Sequence, residues 1–191
     1  MAGRKKNAAR LGAHLVFADE SGFLLTPTVA KTWAPVGQTP IVQHFDRRDR
    51  ISVISGISVS PKRQRLNLYF HLHLKNIQQQ EAYWFLCDLL RHLRGHVFVL
   101  WDGGRPHKGR LISGLLARVH RLHLVRFPGY APELNPDEGI WKLAKQALAN
   151  GCPRRVLDLI PSLVDILNSI RRNRRNLRGC IDHSGLPPFL R

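Results

Sequence analysis

VFVLWDGGRPHKG (Val97 to Gly109) runs five apolar residues into an aspartate, two glycines and then Arg105, His107 and Lys108. A short apolar run closed by turn residues is the pattern of a buried strand, and the glycines supply the turn. Beyond it, the segment from His107 to His120 carries Leu111, Ile112, Leu115, Leu116 and Val119 on one helical face, and LHLVRF (122 to 127) reads as a further strand. In an open α/β sheet, ligands gather beyond the carboxyl ends of the strands. Asp102 is therefore either an ordinary strand end or a carboxylate held out for chemistry.

Reading outward, AHLVFAD (13 to 19) is another apolar run that ends on an acid, and ISVISGISVS (51 to 60) and RLNLYFHLH (65 to 73) form a hairpin across the turn PKRQ. Between the first two strands, SGFLLTPTVAKTWAPVGQTP is an irregular Pro/Gly-punctuated excursion whose Trp33 is expected to pack against the sheet. From Asn76 to Gly95 the period becomes helical, with Ile77, Tyr83, Trp84, Leu86, Cys87, Leu90 and Leu93 on the repeat. The order is thus β-β-β-α-β-α-β-α. Its last helix begins in ELNPDEGIWKLAKQALANG (133 to 151), with Asn135 as N-cap, Pro136 at N1, and Asp137 and Glu138 in the first turn, where the macrodipole favours acids. Ile140, Trp141, Ala144, Ala147 and Leu148 form its buried face. A further helix is expected from Leu159 to Arg172, capped by Asp158, followed by the charge run RRNRRNLRG as a solvated or frayed tail. Three segments follow: a basic stretch over 1–12, a principal α/β domain over 13–150, and a C-terminal helix with its tail over 151–191.

The 191 residues carry 30 Lys and Arg against 13 Asp and Glu, a net charge of +17. Such a surface draws a polyanion, most simply nucleic acid. No apolar run approaches the ~20 residues that span a bilayer, and MAGRKKNAAR is basic without the form of a signal peptide. An intracellular, cytoplasmic protein is expected, without a membrane partner. Cys87, Cys152 and Cys180 are odd in number and contain no CxxC, so they are read as reduced thiols. The histidines lack cysteine partners at zinc spacing and read as polar surface positions.

With acids so scarce, Asp19 and Asp102 stand out as the two that end apolar strands, and the loop PGYAPELNP can bring Glu138 to the same crevice. Carboxylates crowded around one point repel one another, and a hard divalent cation with oxygen ligands relieves this. Paired cations clamp both oxygens of an in-line phosphoryl displacement. Taken singly, each acid is also a plain strand-end or helix-start residue; only their combination points to chemistry.

The segments ADESGF, TWAPVGQTP, WDGGRPHKG and YAPELNPDEGIWKLAK, over roughly Leu15 to Lys145, resemble the bacterial insertion sequence 630 family of transposases, relatives of the mariner superfamily. The resemblance implies a ribonuclease H-like fold, an α/β architecture with a central mixed five-stranded sheet flanked by helices. It implies catalytic, metal-holding roles for Asp19, Asp102 and Glu138, two Mg²⁺ or Mn²⁺ ions, and cleavage and strand transfer on double-stranded DNA at element ends. It further implies a helix-turn-helix DNA-binding product as companion, a homodimer on DNA, and residence at the nucleoid. Gly103 stands where the family usually has Asn, and His107 falls at the family's customary histidine. Arg105, His107, Lys108 and Arg110 are candidate contacts to the scissile strand, and Arg47, Arg48, Arg50, Lys62, Arg63 and Arg65 a candidate DNA path. Two alternatives stay open at this stage: a ribonuclease H-like nuclease that never joins strands, and a decayed core that only binds nucleic acid.

Overall fold

The computed structural model describes residues 7–25, 30–39, 41, 50–102, 104, 109–128, 131–151, 153 and 155–189. Five strands form one mixed sheet: β1 (His14–Leu24), β2 (Arg50–Val59), β3 (Leu66–His73), β4 (Val97–Trp101) and β5 (Leu122–Arg126), in the spatial order β3-β2-β1-β4-β5. β1 pairs antiparallel with β2, as does β2 with β3, whereas β1 pairs parallel with β4 and β4 with β5. The helices are α1 (Gln79–His92), α2 (Arg110–Arg118), α3 (Asp137–Ala147), α4 (Val156–Arg172) and α5 (Arg174–Asp182), with one 3-10 turn at Pro132–Leu134 before α3. The expected order of strands and helices holds.

Alternation along the strands assigns the two faces. Val16 and Ala18 of β1, Ile54 of β2, and Val97, Val99 and Trp101 of β4 pack beneath α1 and α2, against Phe85, Leu86, Leu89, Ile112 and Leu115. Phe17 and Phe23 of β1 and Ile51, Val53, Ile57 and Val59 of β2 face the other way, onto Ile140, Trp141 and Ala144 of α3, Leu163 and Leu167 of α4, and Leu177 and Ile181 of α5. β2 is therefore buried on both faces, which explains its nearly continuous apolar sequence.

The helix expected from Leu159 begins at Val156, with Arg155 rather than Asp158 at its N-cap, and three further expectations change. β1 continues to Leu24, five residues past Asp19, because Glu20 to Leu24 go on pairing with Ile54 to Arg50 of β2; ESGFL lacks the apolar density that marks a strand. The charge run after Arg172 is helical: the Asn173 side chain caps α5 by accepting from the N–H groups of Arg175 (3.0 Å) and Asn176 (3.3 Å), while Leu177 and Ile181 enter the core. Trp33 is fully exposed and does not pack on the sheet. Among the described cysteines, Cys87 and Cys180 are unpaired, and Cys152 lies outside the described residues.

Two glycines mark close approaches. A Cβ on Gly109, at φ +127°, would stand 1.9 Å from the Gln79 amide nitrogen, and that same side chain caps α2 by accepting from Leu111 N at 2.7 Å. The cap is thus supplied from α1. A Cβ on Gly56 would come within 2.8 Å of Val16 Cγ1 and 3.3 Å of Phe85, both fully packed. We expect Gly56→Val to cost roughly 1–3 kcal/mol or more through overpacking beneath α1, measured as a lowered urea midpoint at unchanged m.

Candidate active site

The parallel register of β1 and β4 pairs Val16 with Val99 and Phe17 with Leu100. Two residues beyond that last pair, Asp19 on β1 and Asp102 just after β4 occupy matching positions. Alternation turns Asp19 toward α3, away from α1. There Trp141 Nε1 of α3 donates to Asp19 Oδ2 at 2.9 Å. Asp102, exposed, accepts from Gly104 N at 2.9 Å. Glu138 is exposed in the first turn of α3, near enough that its charge acts on Asp19.

The start of α3 is tied to the sheet by two further bonds. Asn135 Nδ2 donates to Ala18 O (3.2 Å), and Ser55 Oγ of β2 donates to Asp137 Oδ2 (2.5 Å). Asn135 Oδ1 also accepts from Asp137 N (3.2 Å), so Asn135 still satisfies a helix-end donor although the helix begins at Asp137. Gly139 leaves room for α5: a Cβ there would lie 2.7 Å from Cys180 Sγ. Burial, and then the nearby Asp137, push the Cys180 thiol up to about 11.

Burial shapes the electrostatics. Asp19 is 9% exposed, and desolvation raises its carboxyl to about 7 against the lowering effect of the Trp141 bond, with Glu138 and Glu20 adding repulsion. Asp137 is wholly buried, and desolvation holds its carboxyl well above the ordinary range despite the Ser55 bond, with Asp19 and Glu138 again repelling. Among the described residues Asp137 Oδ1 meets no well-formed hydrogen-bond donor, although the Ile57 backbone amide lowers the carboxyl slightly. Three acids thus share one neighbourhood, in which Glu138 raises the cost of ionising both Asp19 and Asp137.

The donors are carboxylate oxygens, which suit a hard divalent cation in kind. Among the described residues, no three His, Cys, Asp or Glu side chains are drawn together as a metal-binding group. Arg110 is exposed at the start of α2, on the side of Asp102. Arg126, which pairs with Trp101 at the end of β5, adds an exposed cation to that edge that sequence reasoning did not single out. Arg105, His107, Lys108, Arg47, Arg48 and Gly103 lie outside the described residues.

Lys62 and Arg63 sit in the β2–β3 turn, after Val59, which pairs with Leu15 at the start of β1; this is the opposite end of the sheet from Asp102. The Arg63 guanidinium donates to Ala13 O (3.2 Å) and Ser60 O (3.3 Å), so it braces the turn, while Lys62 is exposed.

Sequence reasoning missed Asp137, read only as a helix-dipole acid, together with its donor Ser55. A signal was present: Ser52, Ser55 and Ser58 interrupt a strand otherwise apolar on both faces, and a buried hydroxyl needs a partner. Trp141 was read as core and is core on its ring face, but its N–H serves Asp19.

Residues 14–159 match the family model described as the DDE superfamily endonuclease, and the chain belongs to this family. Among solved structures, it is similar to the Mos1 transposase paired-end complex with the left transposon end, at 17% identity and a TM-score of 0.60 over 96% of this chain and 58% of that one. It is likewise similar to the Mos1 strand transfer complex, at 17% identity and a TM-score of 0.58 over 98% and 59% of the two chains. The Mos1 catalytic domain alone is matched at 13% identity and a TM-score of 0.53, over 98% of this chain and 89% of that domain. The chain spans less than two thirds of the transposase chains in those DNA complexes. Other structures of the Mos1 paired-end complex contain Mn or Mg. No curated protein sequence matches. The mixed sheet flanked by helices is the ribonuclease H-like fold of the Mos1 catalytic domain.

Two measurements check this local picture. The unfolded Asp19 carboxyl titrates near 3.8 and the folded one near 7, so the metal-free fold loses stability as pH climbs from about 4 to about 7. Asp19→Asn removes that loss: in a chelator it matches the wild type near pH 4 and exceeds it by about 2–4 kcal/mol at pH 8, by urea titration. Ser55→Ala strips Asp137 of its donor and costs about 1–3 kcal/mol at neutral pH.

Proposed function

We propose that this chain is the catalytic part of a transposase of the insertion sequence 630 type, which cleaves DNA at element ends and joins the freed 3′ hydroxyl to target DNA. The observation that carries the reading is the matched register of Asp19 and Asp102 on neighbouring parallel strands, with Glu138 at the start of the helix that Asp19 itself contacts through Trp141. Asp19, Asp102 and Glu138 would hold Mg²⁺ or Mn²⁺, two ions in this reading, and the Mos1 complexes with Mn and Mg support that choice. Bound there, such cations lower the pKa of an attacking water or 3′ hydroxyl and stabilise the leaving oxygen.

The protein's own part is placement. Trp141 fixes one oxygen of Asp19, while Asn135 and Ser55 hold the start of α3 so that Glu138 projects from a seated helix. Arg110, with His107, Arg105 and Lys108, would bind the backbone of the scissile strand, and such contacts position DNA without reading its sequence. The partner is double-stranded DNA, as in the Mos1 complexes. A helix-turn-helix companion, a dimer on DNA and a cytoplasmic, nucleoid-associated location belong to the same proposal. Among the described residues no helix is long and apolar enough to cross a membrane.

Asp102→Asn is expected to keep the fold and the affinity for duplex DNA while Mg²⁺-dependent nicking of an element end falls by at least about a thousandfold. Undiminished nicking would sink the assignment. A precleaved end offered with target DNA separates a transposase, which yields joined product, from a nuclease, which yields none.

A further inference from the structure

The charge run that closes the sequence is built into the fold, and its position gives it a use. Between Asp165 and Asp182 the chain carries five arginines and no acid. Arg171 at the end of α4 donates through Nε to Asn67 Oδ1 of β3 (3.2 Å), and the Arg174 guanidinium donates to Gln64 O in the β2–β3 turn (2.7 Å). These two bonds dock the α4–α5 corner beside the turn that carries Lys62 and Arg65. The apolar side of α5 is meanwhile spent on the core through Leu177 and Ile181.

One exposed cationic surface results, formed by Lys62 and Arg65 from the turn and Arg171, Arg172, Arg174 and Arg175 from the helices. Among the described residues, the Lys62, Arg65, Arg172 and Arg175 side chains make no hydrogen bond or ion pair, and the nearby Arg178–Asp182 pair (3.3 Å) neutralises just one charge beyond them. Like charges gathered without partners repel, and an anion spread over several of them removes that cost. The surface lies at the end of the sheet away from Asp102. From Ser55, level with Asp19, to Ser60 at the turn is five residues of strand, about 17 Å.

We propose that this corner is a second nucleic-acid surface, one that grips the phosphate backbone of duplex DNA remote from the carboxylates. A lipid surface fits poorly, because a membrane-lying helix needs exposed apolar side chains, and none of the exposed large hydrophobic residues belongs to the corner. Single-stranded nucleic acid is bound on aromatic platforms, and the corner has no aromatic residue among those named. A phosphate ladder asks only for spaced cations, and the corner offers them on two helices and a turn. This surface stands or falls independently of the reading of the carboxylates, since phosphate binding needs neither metal nor cleavage.

The test measures binding of a 40-base-pair duplex of arbitrary sequence by fluorescence anisotropy, in a chelator, across a series of salt concentrations. Among the described residues the Arg172 and Arg175 side chains make no hydrogen bond or ion pair, so Arg172→Ala/Arg175→Ala should unfold as the wild type does. We expect about a tenfold loss of affinity near 100 mM salt and a salt slope shallower by about 2, the value for two lost phosphate contacts. Arg172→Lys/Arg175→Lys should restore most of the slope, and Arg94→Ala/Arg118→Ala, with the same change in net charge on the α1–α2 side, should leave it unchanged. An unchanged slope in the first variant, or an equal loss in the Arg94/Arg118 control, overturns the proposal. It is also overturned if that first variant loses binding to phosphatidylserine vesicles while keeping its affinity for duplex. Asp102→Asn should bind as the wild type does.

Discussion

The bond from Ser55 to Asp137 is the constraint on which the site depends. It joins the middle of the most buried strand to the first residue of α3, inside the protein and out of reach of water. A buried acid is costly, and here its position is what the fold obtains in return: with Asn135 on Ala18 O and Trp141 on Asp19, it gives the helix three points of attachment to β1 and β2. Three non-collinear points fix a rigid rod. Glu138 inherits its position from that seating, although among the described residues it makes no bond to the sheet itself.

The same crowding sets the chemistry. Burial disfavours ionisation of Asp19 and Asp137, and Glu138 adds repulsion at both, as Asp19 does at Asp137. If the proposed cation binds here it would relieve that repulsion, so its affinity would come from discomfort in its absence as much as from ligand number.

Much of the fold was legible because the sheet is double-sided. LVFA, ISVISGISV and VFVLW announce buried strands by apolar density, and the two helical periods after Asn76 and Asn135 are unambiguous. Legibility failed where the stabilising contact was distant in sequence. ESGFL is a strand because β2 pairs with it, α5 is a helix because Leu177 and Ile181 find a core among five charged or polar neighbours, and α2 is capped by a glutamine 32 positions earlier. Asp19, Asp102 and Glu138 were visible as acids at strand ends and a helix start. Asp137 was not, because one position in a sequence cannot say whether a helix-start acid faces water or a buried serine.

The extra length of β1 has a consequence for how a cation would be gathered. Asp19 lies in mid-strand, with backbone pairing to β2 continuing for five residues beyond it, whereas Asp102 follows the last residue of β4 and Glu138 opens α3. Backbone held on both sides of a residue has little conformational freedom left to lose. In the proposed site Asp19 would thus be the anvil: an arriving ion would meet one ligand already immobilised, and the entropy of closing the coordination shell would fall on the strand end and the helix start.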